Sequence, residues 1–377
     1  MAWGGFAFYT TRGHMKSNIK ALLAAAGMAA FAFSPADAFE GGVQWQQKPG
    51  IFIGASAGVP PPGIYMFDQV FTYQTNLAGP LTNVVGTHNG VQAAVDIQGF
   101  VFVPGWTFLG ATYDAVLAQP FGMVSVGNPV AQNPGQANQF SGVHNTYFAP
   151  VELSWKLGTS GFAVKAGLGI FAPTGTVQGV QGVNVVASGN SLNGFMNFGN
   201  KYWTFQPEVI FSYLKDGWNL SAALYGEINT ANQIDHYTQG DIFHVDFTAT
   251  KTFGKWTLGP VGYYVAQVSN DKCSDPTCIA THPLGLLSGT GNPLLGNAQR
   301  YQLFAVGGLV EYNFGPASLS VWATQEVYSK ASGAGLLPVV PGGVDLSNTT
   351  KGMTVFATLS YRLWAPEEPA KAPMIHK

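Results

Sequence analysis

Two side chains with catalytic potential, His244 and Asp246, stand two residues apart within the stretch 241–251. On a strand that spacing puts both on one face, where an imidazole can act as a general base oriented by a carboxylate. No serine nucleophile motif lies beside them. A hydrogen-bonded polar network is therefore the simpler expectation than a hydrolase. His88, His144, His236 and His282 fall in loop-like stretches without metal-ligand spacing. They are expected to be solvated, and neither a metal site nor a cofactor is expected. Cys273 and Cys278 sit in a Ser/Asp/Pro-rich stretch and suggest a loop-closing disulfide in an oxidising compartment.

The chain around this pair has a two-residue beat. Trp203, Phe205, Val209, Phe211 and Tyr213 alternate with Thr204, Gln206 and Glu208, and Phe243, Val245, Phe247 and Ala249 alternate with His244, Asp246, Thr248 and Thr250. Such alternation marks strands with unlike faces. Twelve such segments are expected, beginning near residues 64, 91, 106, 146, 162, 201, 218, 241, 255, 300, 317 and 352. Tight turns at Pro104-Gly105, 158–161, Lys215-Asp216-Gly217, Phe253-Gly254 and Gly315-Pro316 alternate with long polar loops near 76–89, 120–144, 173–199, 231–239, 270–299 and 331–350. A sandwich with both ends in water has no reason to sort its loops by length. An outer-membrane barrel does, with short periplasmic turns, long extracellular loops and an even strand count.

Composition agrees. Only 10% of the 377 residues are charged, 46% are hydrophobic and 13% aromatic, and the formal net charge is −2. Soluble domains carry about 25% charged residues. Lysines and arginines number 17 against 19 acids, which supplies no basic patch for nucleic acid. A spanning sheet in lipid must close on itself to satisfy its backbone, with an apolar outside and a polar inside. Trp106, Trp203, Trp218, Trp256, Tyr361 and Trp364 stand at segment ends and fit interfacial girdles.

With polar residues assigned to the lumen, Asp96, Glu208, Glu227, His244, Asp246, Glu326 and Arg362 point inward, as do Asp68, Asp114, Glu152 and Lys165. Phe100, Phe102, Tyr225, Trp322 and Tyr328 share their parity. Acids outnumber bases, so anions should not be favoured. Inward aromatics beside polar groups would either line a path for a flat apolar solute or fill a narrow lumen.

The ends have their own logic. Met15-Lys16-Ser17-Asn18-Ile19-Lys20, the apolar run 21–33 and Ala36-Asp37-Ala38 have the layout of a secretory signal peptide over 1–38, with Met15 as the expected start. The apolar run is shorter than the ~20 residues a spanning helix needs. Segment 39–62, with Trp45 and Ile51-Phe52-Ile53 ahead of Pro60-Pro61-Pro62, is too apolar for a free tail. It is expected to fold into the lumen as a plug, with the prolines as a stiff hinge. The barrel would cover 63–364, and the Pro-rich stretch 365–377 would be a periplasmic tail.

Three blocks carry a family resemblance: Pro60-Pro61-Pro62-Gly63-Ile64-Tyr65, then Asn200-Lys201-Tyr202-Trp203-Thr204-Phe205-Gln206-Pro207 with Tyr213-Leu214, then Gly240-Asp241-Ile242-Phe243-His244-Val245-Asp246. Over roughly 50–364 the chain resembles Gram-negative outer-membrane proteins of the phenol-degradation meta-pathway (MetA-type) transporter family. The resemblance implies a barrel channel for aromatic or other hydrophobic compounds. The expectation is thus an all-β, up-and-down antiparallel barrel of about 12 strands in the outer membrane. Its partners would be lipid, a small hydrophobic or aromatic solute and the barrel-assembly machinery. Alternatives are a barrel-embedded hydrolase and a structural or adhesion barrel.

Overall fold

The computed structural model describes residues 45–80, 82–85, 87, 90–127, 137–176, 198–233, 236–272, 276, 300–333, 336–337, 344–345, 347 and 349–366. The expected signal peptide, the tail from 367, Cys273 and Cys278 lie outside the described residues.

Twelve antiparallel strands form the wall: β1 Gly63–Ala78, β2 Val91–Val103, β3 Ala111–Gly127, β4 Thr146–Lys156, β5 Phe162–Ala172, β6 Thr204–Tyr213, β7 Trp218–Asn229, β8 Ile242–Phe253, β9 Trp256–Gln267, β10 Arg300–Asn313, β11 Ala317–Ser332 and β12 Thr349–Trp364. Each pairs with its sequence neighbours, and β1 pairs with both β2 and β12, so the sheet closes. Closure removes the edges that lipid could not hydrogen-bond. Short pieces add to this wall. Residues Thr107–Phe108 pair back onto the start of β3, Ala137–Val143 pairs with the upper part of β3, and Thr82–Val85 forms one helical turn.

The strand starts match the two-residue beat, with the third displaced from 106 to 111 because Leu109-Gly110 makes the turn instead, at φ 49 and 78°. The turn between β6 and β7 is set by Asp216 and Gly217, both at positive φ (54 and 77°), with Trp218 N–H donating to Lys215 O at 2.9 Å. Two positive-φ central residues define the type I′ turn, whose twist matches the strands it joins.

The outside is apolar at strand centres, where Val70, Leu117, Phe211, Leu220, Phe247, Val310 and Met353 are exposed. At the short-turn end Trp106, Trp218, Trp256 and Trp364 are exposed in a girdle, with Lys251 Nζ lying 4.7 Å above the Trp218 ring.

The rule that polar residues face the lumen fails on β2. Val95 and Ile97 are buried on the inside, so Asp96, Phe100 and Phe102 face outward, the two phenylalanines 41% and 40% exposed. Asp68 on β1 faces outward too, since Gln69, Phe71 and Tyr73 are the buried inner set. The physical reason is that this side of the lumen is an apolar chamber, so apolarity no longer distinguishes inside from outside. Two bulges also shift parity. The first lies in β4, where Pro150 and Val151 together oppose one residue of β3; it turns Tyr147 inward together with Glu152. The second, at Val327, turns Tyr328 outward.

Candidate functional site

Residues 45–58 run along the inner wall, and six of their backbone N–H groups are taken up by a ladder of inward side chains. Gln46 and Gln47 N–H donate to Glu227 Oε2 and Oε1, both at 2.9 Å. Gly50 and Phe52 N–H donate to the two oxygens of Asp246 at 2.9 and 3.0 Å. Gly54 N–H donates to Thr248 Oγ1 and Ala57 N–H to Ser212 Oγ, each at 2.8 Å. Ladder residues two apart on β7 and β8 (Glu227 with Tyr225; His244, Asp246, Thr248) share the inner face, which is how strand geometry builds a continuous row of acceptors. A carboxylate accepting two N–H groups is among the stronger neutral-donor arrangements a protein offers.

Other side chains clamp the same segment. Trp322 Nε1 donates to Gly50 O at 3.1 Å, and its ring stacks on Phe356 with centroids 4.8 Å apart. Lys48 Nζ lies 4.4 Å from the Tyr73 ring centroid, 4.9 Å from Tyr263 and 5.1 Å from Trp45. Behind this aromatic cage Glu326 Oε1 accepts from Tyr263 Oη at 2.7 Å and from Tyr73 Oη at 3.1 Å. A cage with an anion behind it holds an ammonium by cation–π and ionic attraction together. At the short-turn end Arg362 Nη2 donates to Pro62 O, and its guanidinium lies over Tyr65 at 5.7 Å.

His244 is fully buried, stacked on Tyr225 with centroids 4.4 Å apart, and its Nε2 lies 3.0 Å from Glu227 Oε1. The carboxylate nearest the imidazole is therefore Glu227, while Asp246 is engaged by the backbone of residues 50 and 52 and by Tyr225 Oη at 3.3 Å. A Gly-x-Ser-x-Gly pattern does occur elsewhere, at Gly54-Ala55-Ser56-Ala57-Gly58. It is not a strand-to-helix elbow. Ser56 Oγ accepts from Gly58 N–H at 3.2 Å, and Gly54 and Ala57 on either side bond Thr248 and Ser212. The pair on β8 thus belongs to the lumen network that grips this segment.

Opposite the gripped segment lies a cavity of about 520 Å³. Its wall on β1, β2 and β3 is apolar: Phe71, Val91, Ala93, Val95, Ile97, Val116, Ala118 and Val124, closed by Tyr147, Phe171 and Phe198. His144, expected in a solvated loop, is buried in this lining, edge-on to Phe171 and Phe198 at 6.4 and 5.6 Å. Its backbone N–H donates to Pro120 O at 2.9 Å, which ties the chain to the wall between 137–143 and β4.

One row of the wall is polar. The register runs Asp114, Glu152, Gly167, Glu208, Tyr225, His244 across β3 to β8. Lys165, one inward position away on β5, places Nζ 2.7 Å from Asp114 Oδ2 and 2.7 Å from Glu152 Oε2. The glycines of β5 make the room. A Cβ on Gly167 would stand 2.8 Å from Glu208 Oε1 and 3.0 Å from Glu152 Cγ, and one on Gly169 would stand 2.5 Å from the Tyr147 ring. Interior strand glycines are the signal of a close approach, and Lys165-Ala166-Gly167-Leu168-Gly169 carries that signal in the sequence.

The expected lumen residues therefore divide into three groups. Tyr225, Glu227, His244, Asp246, Trp322 and Glu326 hold residues 45–58, directly or through one another, and Arg362 bonds Pro62 just beyond them. Glu208 lines the cavity, whereas Asp96, Phe100 and Phe102 face away from it. Among the described residues no group of three or more His, Cys, Asp or Glu has the arrangement to hold a metal ion.

Comparison with known proteins gives this architecture a family. No curated protein matches the sequence. Among solved structures, the COG4313 outer membrane channel from Pseudomonas putida F1 aligns with a TM-score of 0.58 at 12% identity, covering 84% of this chain and 99% of that one. The β domain of the Bordetella autotransporter BrkA aligns at 0.40 and 10% identity, over 80% of this chain and 100% of that one. The TodX monoaromatic hydrocarbon channel aligns at 0.36 and 11%, over 81% and 91%. The first shows the same fold. The family model described as "Putative MetA-pathway of phenol degradation" matches residues 78–336, most of the barrel, and the chain belongs to that family.

Proposed function

We propose that the protein is an outer-membrane channel for passive uptake of small hydrophobic or aromatic compounds. The observation that carries this reading is the largely apolar cavity of about 520 Å³ inside a closed barrel, roomy enough for a small hydrophobic or aromatic solute. The family's link to phenol degradation points the same way, as does the Pseudomonas putida neighbour of the same fold, itself an outer membrane channel. Export would use the signal peptide cleaved after Ala38, and insertion the barrel-assembly machinery. Residues 39–62 would act as the plug: their described part fills the lumen beside the cavity, and Pro60-Pro61-Pro62 gives a stiff hinge at the periplasmic mouth. No catalytic step is assigned to the lumen residues.

Two measurements test this. In a flux panel of reconstituted protein, phenols should cross faster than through protein-free membranes and faster than sugars or fatty acids; equal rates with and without protein would sink the channel. Deleting residues 45–58 should raise single-channel conductance in planar bilayers, and an unchanged conductance would remove the plug.

A further inference from the structure

A second polar row crosses the inner wall nearer the short turns. The register runs Glu311, Ser320, Thr358, Gln69 across β10, β11, β12 and β1, and all four line the cavity. One inward position farther from the turns, the same strands carry Leu309, Trp322, Phe356 and Phe71, so the row lies directly beneath an apolar, mostly aromatic layer. Glu311 is half-buried, and its Oε2 accepts from Ser320 Oγ at 2.6 Å. The other inward carboxylates of the described strands are engaged. Glu227 and Asp246 hold backbone N–H groups, Glu326 holds Tyr73 and Tyr263, Asp114 and Glu152 hold Lys165, and Glu208 is paired with Tyr147 and Glu152. The lumen cations are engaged as well: Lys165 between two carboxylates, Lys48 in its aromatic cage, Arg362 on Pro62 O. Among the described residues Glu311 therefore has no ion-pair partner. Gln69, only 6% exposed, also faces the cavity, and among the described residues its amide has no hydrogen-bond partner.

A half-buried carboxylate without a counter-ion favours a cation beside it, and charge-assisted hydrogen bonds are the stronger ones. A primary ammonium brings N–H donors and no acceptor, which suits a row that offers a carboxylate oxygen and an amide oxygen. A carboxylate solute would meet Glu311 with no free cation to receive it. Resting on the channel reading above for the entry of solutes into the cavity, we propose that Glu311 and Gln69 form a binding site for the primary ammonium group of an amine with an apolar body. In this arrangement the Glu311 carboxylate and the Gln69 amide oxygen accept the ammonium N–H groups. The apolar body rises past the stacked rings of Trp322 and Phe356 toward the chamber wall. The short-turn end of the cavity therefore sorts solutes by charge: an ammonium is held, a neutral alcohol is held less, and an acid is turned away.

Three probes of one shape separate the possibilities: 2-phenylethylamine, 2-phenylethanol and 3-phenylpropionate. Binding is measured by calorimetry on the full folded barrel in detergent near neutral pH, where the amine is protonated. The wild type should bind the amine about tenfold more tightly than the alcohol, with the acid weakest. Glu311→Gln, which keeps size and removes charge, should lower amine affinity about tenfold and leave the alcohol within about twofold. Gln69→Met should lower amine affinity by about threefold, since the carboxylate remains. Folding of both variants is checked by heat-modifiable gel mobility. Equal wild-type affinity for amine and alcohol overturns the ammonium site. An amine preference unchanged in Glu311→Gln overturns the assignment to Glu311, and amine affinity unchanged in Gln69→Met removes Gln69 from the site. Phenol flux without an amine preference sinks this inference alone, whereas amine binding without any protein-dependent flux sinks the channel reading alone.

Discussion

Asp246 shows how much one side chain can decide. Its two oxygens hold the N–H groups of Gly50 and Phe52, and Trp322 holds the Gly50 carbonyl. Removing the carboxylate would leave two backbone donors in a buried groove without acceptors, a loss of about 3 kcal/mol. The Asp246→Ala variant should therefore unseat residues 50–54. The measurement is maleimide labelling of Ile53→Cys, a position only 3% exposed. Labelling should accelerate about a hundredfold in the Asp246→Ala background. An equal rate in both backgrounds would mean that the ladder does not hold the segment. That His244 and Asp246 share one face was legible from their two-residue spacing, but their partners were not. Glu227 is 17 positions from His244 in sequence, and the Asp246 donors come from a segment with no strand pattern of its own.

At the scale of elements, turns were the most legible feature and faces the least. Asp216-Gly217 reads as a hairpin turn because few other pairs tolerate positive φ at both positions. Gly217→Ala would force a Cβ to φ 77° and to 3.0 Å from Thr252 O. The cost should be about 1 kcal/mol, seen as a lower midpoint in the heat-modifiable mobility shift, whereas Asp216→Gly should leave the midpoint unchanged. A midpoint unmoved in Gly217→Ala would show that this turn does not limit barrel stability. Facing failed wherever the lumen departs from uniform polarity. On β2 the chamber wall is Val91, Ala93, Val95 and Ile97, so the apolar face points in and Asp96, Phe100 and Phe102 point out. On β4 the bulge at Pro150-Val151 brings Tyr147 and Glu152 to the same side despite their opposite parity. Pro150 was the available signal, since an interior proline in a strand marks an edge or a bulge.

For the whole molecule, the scarcity of charge follows from the closed wall. The outside meets lipid, the backbone is satisfied within the sheet, and most of the polar residues retained in strand interiors serve the lumen. The strand count was legible because the alternation repeats twelve times, and an even number of neighbour-paired strands can close. The cavity was not, because it arises only once residues 45–58 occupy one side of the lumen and leave the other open. The central claim is that this remaining space is the solute's route. The direct measurement is uptake of radiolabelled 4-ethylphenol by Gram-negative cells carrying either the wild-type chain or Val95→Trp, with surface levels and heat-modifiable folding matched. Val95 is buried on the chamber wall, on a strand that carries neither the ladder nor the polar row, so an indole there intrudes into the route. The account predicts protein-dependent uptake in the wild type and a fall of about tenfold or more in Val95→Trp. Uptake equal in the two, or equal to that of cells lacking the protein, would contradict it.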